Sequence, residues 1–148
     1  MKKIFVFVFV VFVSATCFCG EVTEELLDAI EKVESNCNPN AIGDKGNAVG
    51  SFQIWKIYVK DVNRILDLNN VKRKYTYEDR YSRKKSREMV RIYLEHYGKR
   101  YEKLTGKEAT EEIYSRIHNG GVNGWKKRVT IPYWEKVKKH LTGLKNKS

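Results

Sequence analysis

Glu34 closes an apolar-periodic stretch and is followed at once by small, polar and turn-forming residues, reading E-S-N-C-N-P-N-A-I-G-D-K-G-N-A-V-G-S-F-Q-I from Glu34 to Ile54. Ile30 and Leu27 lie four and seven residues before it, so Glu34 shares their helical face and turns toward the core side. Partial burial there costs the carboxylate hydration, and the negative end of the helix stands beside it. Both effects favour the neutral, proton-bearing carboxyl. An acid that keeps its proton near neutrality can protonate the leaving oxygen of a glycosidic bond as the sugar takes on oxocarbenium character. Taken by itself, the position suits a helix-terminal glutamate turned to solvent better than a catalytic one, because most carboxylates lie exposed. A conventional glycosidase also needs a second carboxylate, and Asp44, Asp61, Asp67, Glu78 and Asp79 are available without a spacing that selects one. Asp44 and Asp79 are the two whose surroundings, a hairpin and a polar stretch, could face Glu34 across a cleft.

The elements that must hold these groups are helical for the most part. Thr23 caps a helix carrying Leu26, Leu27, Ile30 and Val33, with Glu24 and Glu25 in its first turn, ending near Ser35. Asn, Pro, Gly, Asp and Lys then dominate to Gly50, which predicts a loop and a small β-hairpin around Gly43 to Phe52. A second helix follows through Trp55, Tyr58, Val62 and Ile65, and breaks at Asp67 to Asn70. Lys72 to Arg87 is polar, basic and tyrosine-rich and reads as an exposed loop or a lid. Met89, Val90, Tyr93, Leu94 and Tyr97 form the inner face of a third helix, with Gly98 as its terminator. Thr110 to Asn119 gives a fourth, with Ile113 and Ile117 inward and Gly120-Gly121 as its stop. Thr130 and Pro132 open a last helix with Trp134, Val137 and Leu141 inward, and the tail from Lys145 to Ser148 frays. The sum is a predominantly helical α+β domain with one small hairpin and no internal repeats.

Glu34-Ser35, Asn38-Pro39, Ala41, Ala48, Gly50 and Phe52-Gln53-Ile54 together resemble the signature of the lytic transglycosylase SLT family, relatives of goose-type lysozyme in the lysozyme-like superfamily. Tyr93-Leu94 is similar to that family's helical Tyr-Leu pair, and His118-Asn119-Gly120-Gly121 to its Ala-Tyr-Asn-x-Gly segment. The resemblance covers most of the chain, in order. It implies a lysozyme-like fold with Glu34 as general acid and base, Ser35 as the neighbour that fixes it, and Gln53, Trp55, Tyr93, His118 and Asn119 lining a substrate cleft. The implied reaction is cleavage of the β-1,4 bond between N-acetylmuramic acid and N-acetylglucosamine in peptidoglycan, with a 1,6-anhydro product and neither cofactor nor metal. Hydrolysis of the same bond, as by goose-type lysozyme, shares the acid and the cleft; a non-catalytic wall-binding protein would keep only the cleft. Amides suit sugar hydroxyls and N-acetyl groups, and Trp55 or Tyr58 can stack on a sugar face, although both also sit at core spacing. Tyr93 needs a partner for its hydroxyl, and Glu34 is one that it could meet. Asn119 reads equally as a helix cap. The chain departs from the family at His118, in place of a tyrosine, and at Cys37, which stands as a small buried hydrophobe in place of an aromatic.

At 148 residues, with 41% hydrophobic content, the chain is sized for one domain that needs no staple. Lys2 and Lys3, an apolar run from Ile4 to Val13 and small residues before Cys17 and Cys19 read as a signal peptide over 1–19, leaving 20–148 as the domain. Export to the periplasm, cell envelope or medium follows, without stable membrane insertion. Cys37, alone or with Cys19, gives no disulfide framework and no metal-ligand spacing. The net charge of +11, or +9 once Lys2 and Lys3 leave, suits anionic cell-wall polymers and peptidoglycan strands as partners, although solvated basic helix faces account for it as simply. No nucleic-acid signature accompanies the charge, and a monomer is the expected state. The Lys126 to Lys139 segment is the stretch that a cationic membrane-active protein would use.

Overall fold

Thr23 begins the first helix as its position demands. In the computed structural model, which describes residues 20–145, its hydroxyl accepts from the Leu26 amide and α1 occupies Glu24–Ser35. The leader read at 1–19 and the end of the tail lie outside the described residues. The order continues β1 (Ile42–Gly43), β2 (Ala48–Val49), α2 (Lys56–Leu68), α3 (Arg83–Thr105), α4 (Glu111–Gly120) and α5 (Ile131–Lys145), with short 3-10 turns between them. The architecture is the helical α+β one expected, with a two-stranded antiparallel hairpin that pairs Ile42 with Val49 and Gly43 with Ala48.

α1 packs against α5 and α3, while α3 also receives α2 and α4. Leu26, Leu27 and Ile30 of α1, Met89, Val90 and Leu94 of α3, and Ile117 of α4 are fully buried at helical spacing and form the core between those elements. Ion pairs add to the α1–α3 contact. The Glu31 carboxylate, with no exposed side-chain surface, accepts from Arg83 Nε at 2.6 Å and Nη2 at 2.9 Å, with Arg87 Nη1 at 3.4 Å. Glu24 meets Arg87 and Arg91, and its hydrogen bond to Arg87 holds its carboxyl below the usual range. Removing one partner of such a buried pair strands the other charge, which specifies how the two helices register.

Three expectations give way. Gly98 does not end α3; the helix runs on to Gly106, whose φ of 69° makes it the left-handed cap. Gly98 instead lets α4 approach, since a Cβ there would stand 2.4 Å from the Tyr114 ring. The stretch from Lys72 to Arg87 is neither wholly exposed nor a free lid: its last residues belong to α3, and Tyr75 and Arg80 are buried. Asn63 brackets the Tyr75 backbone with bonds of 2.8 Å in both directions. Arg80 donates to the carbonyls of Tyr77 at 2.8 Å and Ile54 at 3.1 Å, which ties this segment beneath the hairpin. Finally, Cys37 is exposed, because the left-handed pair Asn36 (φ 56°) and Cys37 (φ 65°) swings the chain away from the core as α1 ends.

Candidate active site

A cleft of about 640 Å³ opens between the hairpin, α2, α3 and the C-terminal end of α4, a size that suits a few sugar rings' worth of ligand. Glu34, Gln53, Trp55, Tyr93, His118 and Asn119 all line it. Asp44 of the hairpin and Ile57, Lys60, Asp61 and Arg64 of α2 line it too. Ser35 does not line it. Its hydroxyl donates to the Ser51 carbonyl at 2.8 Å and accepts from the Asn38 amide at 3.0 Å, stitching the turn after α1 to the hairpin's return. Ser35 thus fixes the backbone behind Glu34 and makes no bond to its carboxyl.

Glu34 stands at the last turn of α1 with 16% of its side chain exposed. Its Oε1 accepts a hydrogen bond of 2.7 Å from the Tyr133 hydroxyl of α5, and His118 Nε2 of α4 lies 3.3 Å from the same oxygen. Oε2 has no protein partner among the described residues. Burial, together with the Glu34 charge and hydrogen bond, pushes the Tyr133 hydroxyl well above its ordinary range, so it stays a donor. Since Tyr133 donates its own proton to Oε1, Oε2 is the carboxyl oxygen left without a protein donor. The hydroxyl that meets Glu34 is therefore not that of Tyr93. Tyr93 stacks on Tyr58 with ring centroids 3.9 Å apart and meets Tyr97 edge-on at 4.6 Å.

His118 is not solvent-facing. Only 4% of its side chain is exposed, and Phe52, Tyr58 and Tyr133 surround its ring. Tyr133 escaped the sequence reading, although it shares the face of Val137 and Leu141 at four- and eight-residue spacing, which was the available signal. Gln53 is held with φ 48°, and its Nε2 donates to the carbonyls of Gly50 at 2.9 Å and Ala41 at 3.2 Å. Its donors brace the loop, and its Oε1 fills the space over Gly43, where a Cβ would come within 2.2 Å. Trp55 caps the start of α2 at the cleft's edge and is 45% exposed, so its indole can receive a sugar face. Asn119 is exposed at the end of α4.

Three carboxylates line the cleft, and they differ in how they are engaged. Asp61 accepts from Arg64 Nε at 2.7 Å and from the Tyr97 hydroxyl. Asp44 is exposed at the hairpin tip with no side-chain partner among the described residues. It and Lys45 are successive left-handed residues, with φ of 44° and 54°, a costly backbone for non-glycine residues that concentrates at functional sites. Asp79 lies elsewhere, bonded to Lys85 at 2.6 Å and to the Thr76 amide at 2.8 Å. No group of three or more metal-ligating side chains occurs among the described residues, and no helix among them is long and apolar enough to cross a membrane.

Comparison with known proteins sets this geometry beside relatives. Residues 23–140 match the Destabilase family model. The chain is 33% identical over 122 residues to a lysozyme of Meretrix lusoria, covering 81% of this chain and 91% of that one. It is 32% identical over 134 residues to a lysozyme of Magallana gigas, covering 86% and 88%. Among solved structures it resembles Tapes japonica lysozyme, with TM-score 0.61, 28% identity and coverage of 79% and 89%. It also resembles the Meretrix lusoria lysozyme solved in complex with Aeromonas hydrophila PliI, with TM-score 0.62, 33% identity and coverage of 82% and 93%. The lysozyme-like fold is thereby shown. The matching family model is Destabilase, and not the lytic transglycosylase SLT family that the motifs suggested.

Proposed function

The chain belongs to the Destabilase family of lysozyme-like proteins, and from that premise we propose that it is a muramidase, hydrolysing the β-1,4 bond between N-acetylmuramic acid and N-acetylglucosamine in peptidoglycan. Glu34 is the general acid, delivering a proton from Oε2 to the leaving oxygen while Tyr133 holds Oε1 and His118 stands beside it. Asp44 is the second carboxylate, which stabilises the oxocarbenium-like centre or activates water from the hairpin side. The observation that carries this reading is the pairing of Glu34 with an uncommitted Asp44 in one cleft, where Asp61 is already committed to Arg64 and Tyr97. A lytic transglycosylase needs a single carboxylate, so the second one, together with relatives named lysozyme, favours hydrolysis over the 1,6-anhydro reaction read from the motifs. Trp55 offers the stacking face and Asn119 the exposed amide for the glycan. The basic charge attracts the anionic wall outside the cytoplasm, where the leader read at 1–19 would send the chain.

Mass spectrometry of muropeptides released from purified peptidoglycan tests this, comparing wild type with Glu34→Gln and Asp44→Asn. Reducing-end products are expected, with turnover lowered about a thousandfold in Glu34→Gln, in keeping with the loss of a general acid, and strongly lowered in Asp44→Asn. Products lighter by one water and insensitive to Asp44→Asn would return the chain to the transglycosylase reaction. Binding to the wall without Glu34-dependent product would make it a wall-binding protein.

A further inference from the structure

We propose that Arg64, with Lys60 one turn before it on the same face of α2, forms a carboxylate-reading end of the cleft that distinguishes acidic glycan from neutral glycan. The proposal rests on the glycan-cleaving reading above and adds the substrate feature that the site selects.

Ile57, Lys60, Asp61 and Arg64 follow one another at three-, four- and seven-residue spacing and all line the cleft, so one stripe of α2 forms its wall for about 10 Å. The stripe begins apolar, beside Trp55, and ends cationic. Arg64 is half exposed, at 51% of its side chain, yet it is anchored. Nε donates to Asp61 at 2.7 Å and Nη2 to the Tyr97 hydroxyl at 2.9 Å, while that hydroxyl donates to the other Asp61 oxygen. Nη1 has no protein partner among the described residues. A guanidinium anchored on one edge and free on the other has already lost the rotamer freedom that a flexible arginine would give up on binding. Asp61 neutralises the anchor, which leaves Lys60 as the uncompensated charge beside it. Glu34 and Asp44 line the cleft from α1 and the hairpin, and both repel a carboxylate. An acidic glycan is therefore oriented with its carboxylate toward the later turns of α2.

In peptidoglycan that carboxylate comes either from the lactyl ether of muramic acid, where no peptide is attached, or from the stem peptide. Chitin has neither. The test measures dissociation constants on the Glu34→Gln protein, which binds without turnover. Its probes are chitooligosaccharides, peptide-free muramic-acid oligomers and peptide-bearing oligomers of matched length. A preference of about tenfold for at least one acidic probe is expected at low salt, the size of one charge-assisted hydrogen bond. It should fall to within about twofold of none when Arg64→Gln is added. Which acidic probe carries the preference identifies the source of the carboxylate. Tyr97→Phe, which keeps the charge but removes an anchor, should lower the preference part of the way. No preference in the parent, or equal weakening on neutral and acidic probes in Arg64→Gln, would overturn the proposal and make Arg64 a clamp between α2 and α3. The muramidase reading stands or falls separately, on the product masses from the wild-type enzyme.

Discussion

Tyr133→Phe removes a single hydroxyl from Oε1 of Glu34 and leaves the ring that packs beside His118. A hydrogen bond between neutral groups, as to the proton-bearing acid, contributes about 0.5–1.5 kcal/mol. Steady-state kinetics on soluble peptidoglycan should accordingly show kcat down by about twofold to tenfold with KM little changed, because the hydroxyl positions the acid of the proposed reaction. A KM effect without a kcat effect would place Tyr133 in substrate binding instead. Glu34 itself was legible, since helical spacing and the turn chemistry after it are local. Its partner was not. Tyr93 and Tyr133 are both inward-facing tyrosines, and only the docking of α5 on α1 decides which hydroxyl arrives. Gln53 shows the same limit in reverse: its residue type suggested sugar contacts, yet its donors are spent within its own loop, on Ala41 and Gly50. Asp44 could not be separated from Asp61 by spacing, because what distinguishes them is the commitment of Asp61 to residues of α2 and α3.

Helix starts were more legible than helix ends. Thr23 and Thr110, read as helix starts, each accept from an amide three residues on, a device contained within one turn; Ser82 caps α3 in the same way but lay within the stretch read as a loop or lid. Gly98 misled because a glycine near the end of an apolar pattern has two uses, as a left-handed cap and as a gap for a neighbouring helix, and the sequence of one helix does not contain the neighbour. Here the neighbour is Tyr114, buried at 2% exposure. Gly98→Ala should therefore destabilise by about 1–3 kcal/mol through overpacking, despite alanine's better helix propensity. A thermal melt should show the midpoint falling by about 5 °C or more. A midpoint that rises would mean that α3 and α4 have room to separate. The segment between α2 and α3 was misread for a related reason. Its tyrosines and arginines look like surface, but Tyr75 and Arg80 reach carbonyls and amides contributed by α2 and the hairpin return.

For the molecule as a whole, length and composition lead one to expect a core that needs no cross-links. Cys37 is the one cysteine among the described residues, and it is exposed and unpaired. Cohesion comes from the apolar centre and the Glu24, Glu31, Arg83, Arg87 and Arg91 ladder. Reductant should consequently leave the thermal midpoint of a protein made of residues 20–148 unchanged; a fall would reveal a disulfide between the Cys37 thiols of two copies. The bond between Tyr133 and Glu34 carries a further consequence, for it joins the first helix to the last across 99 residues. A chain still emerging from the ribosome, or threading through a membrane, has its acid but not the hydroxyl that holds it. Every other helix can be in place and the site still incomplete until α5 docks. On the muramidase reading proposed above, competence to cut therefore waits for the last helix, and a chain without it carries the acid but not its holder.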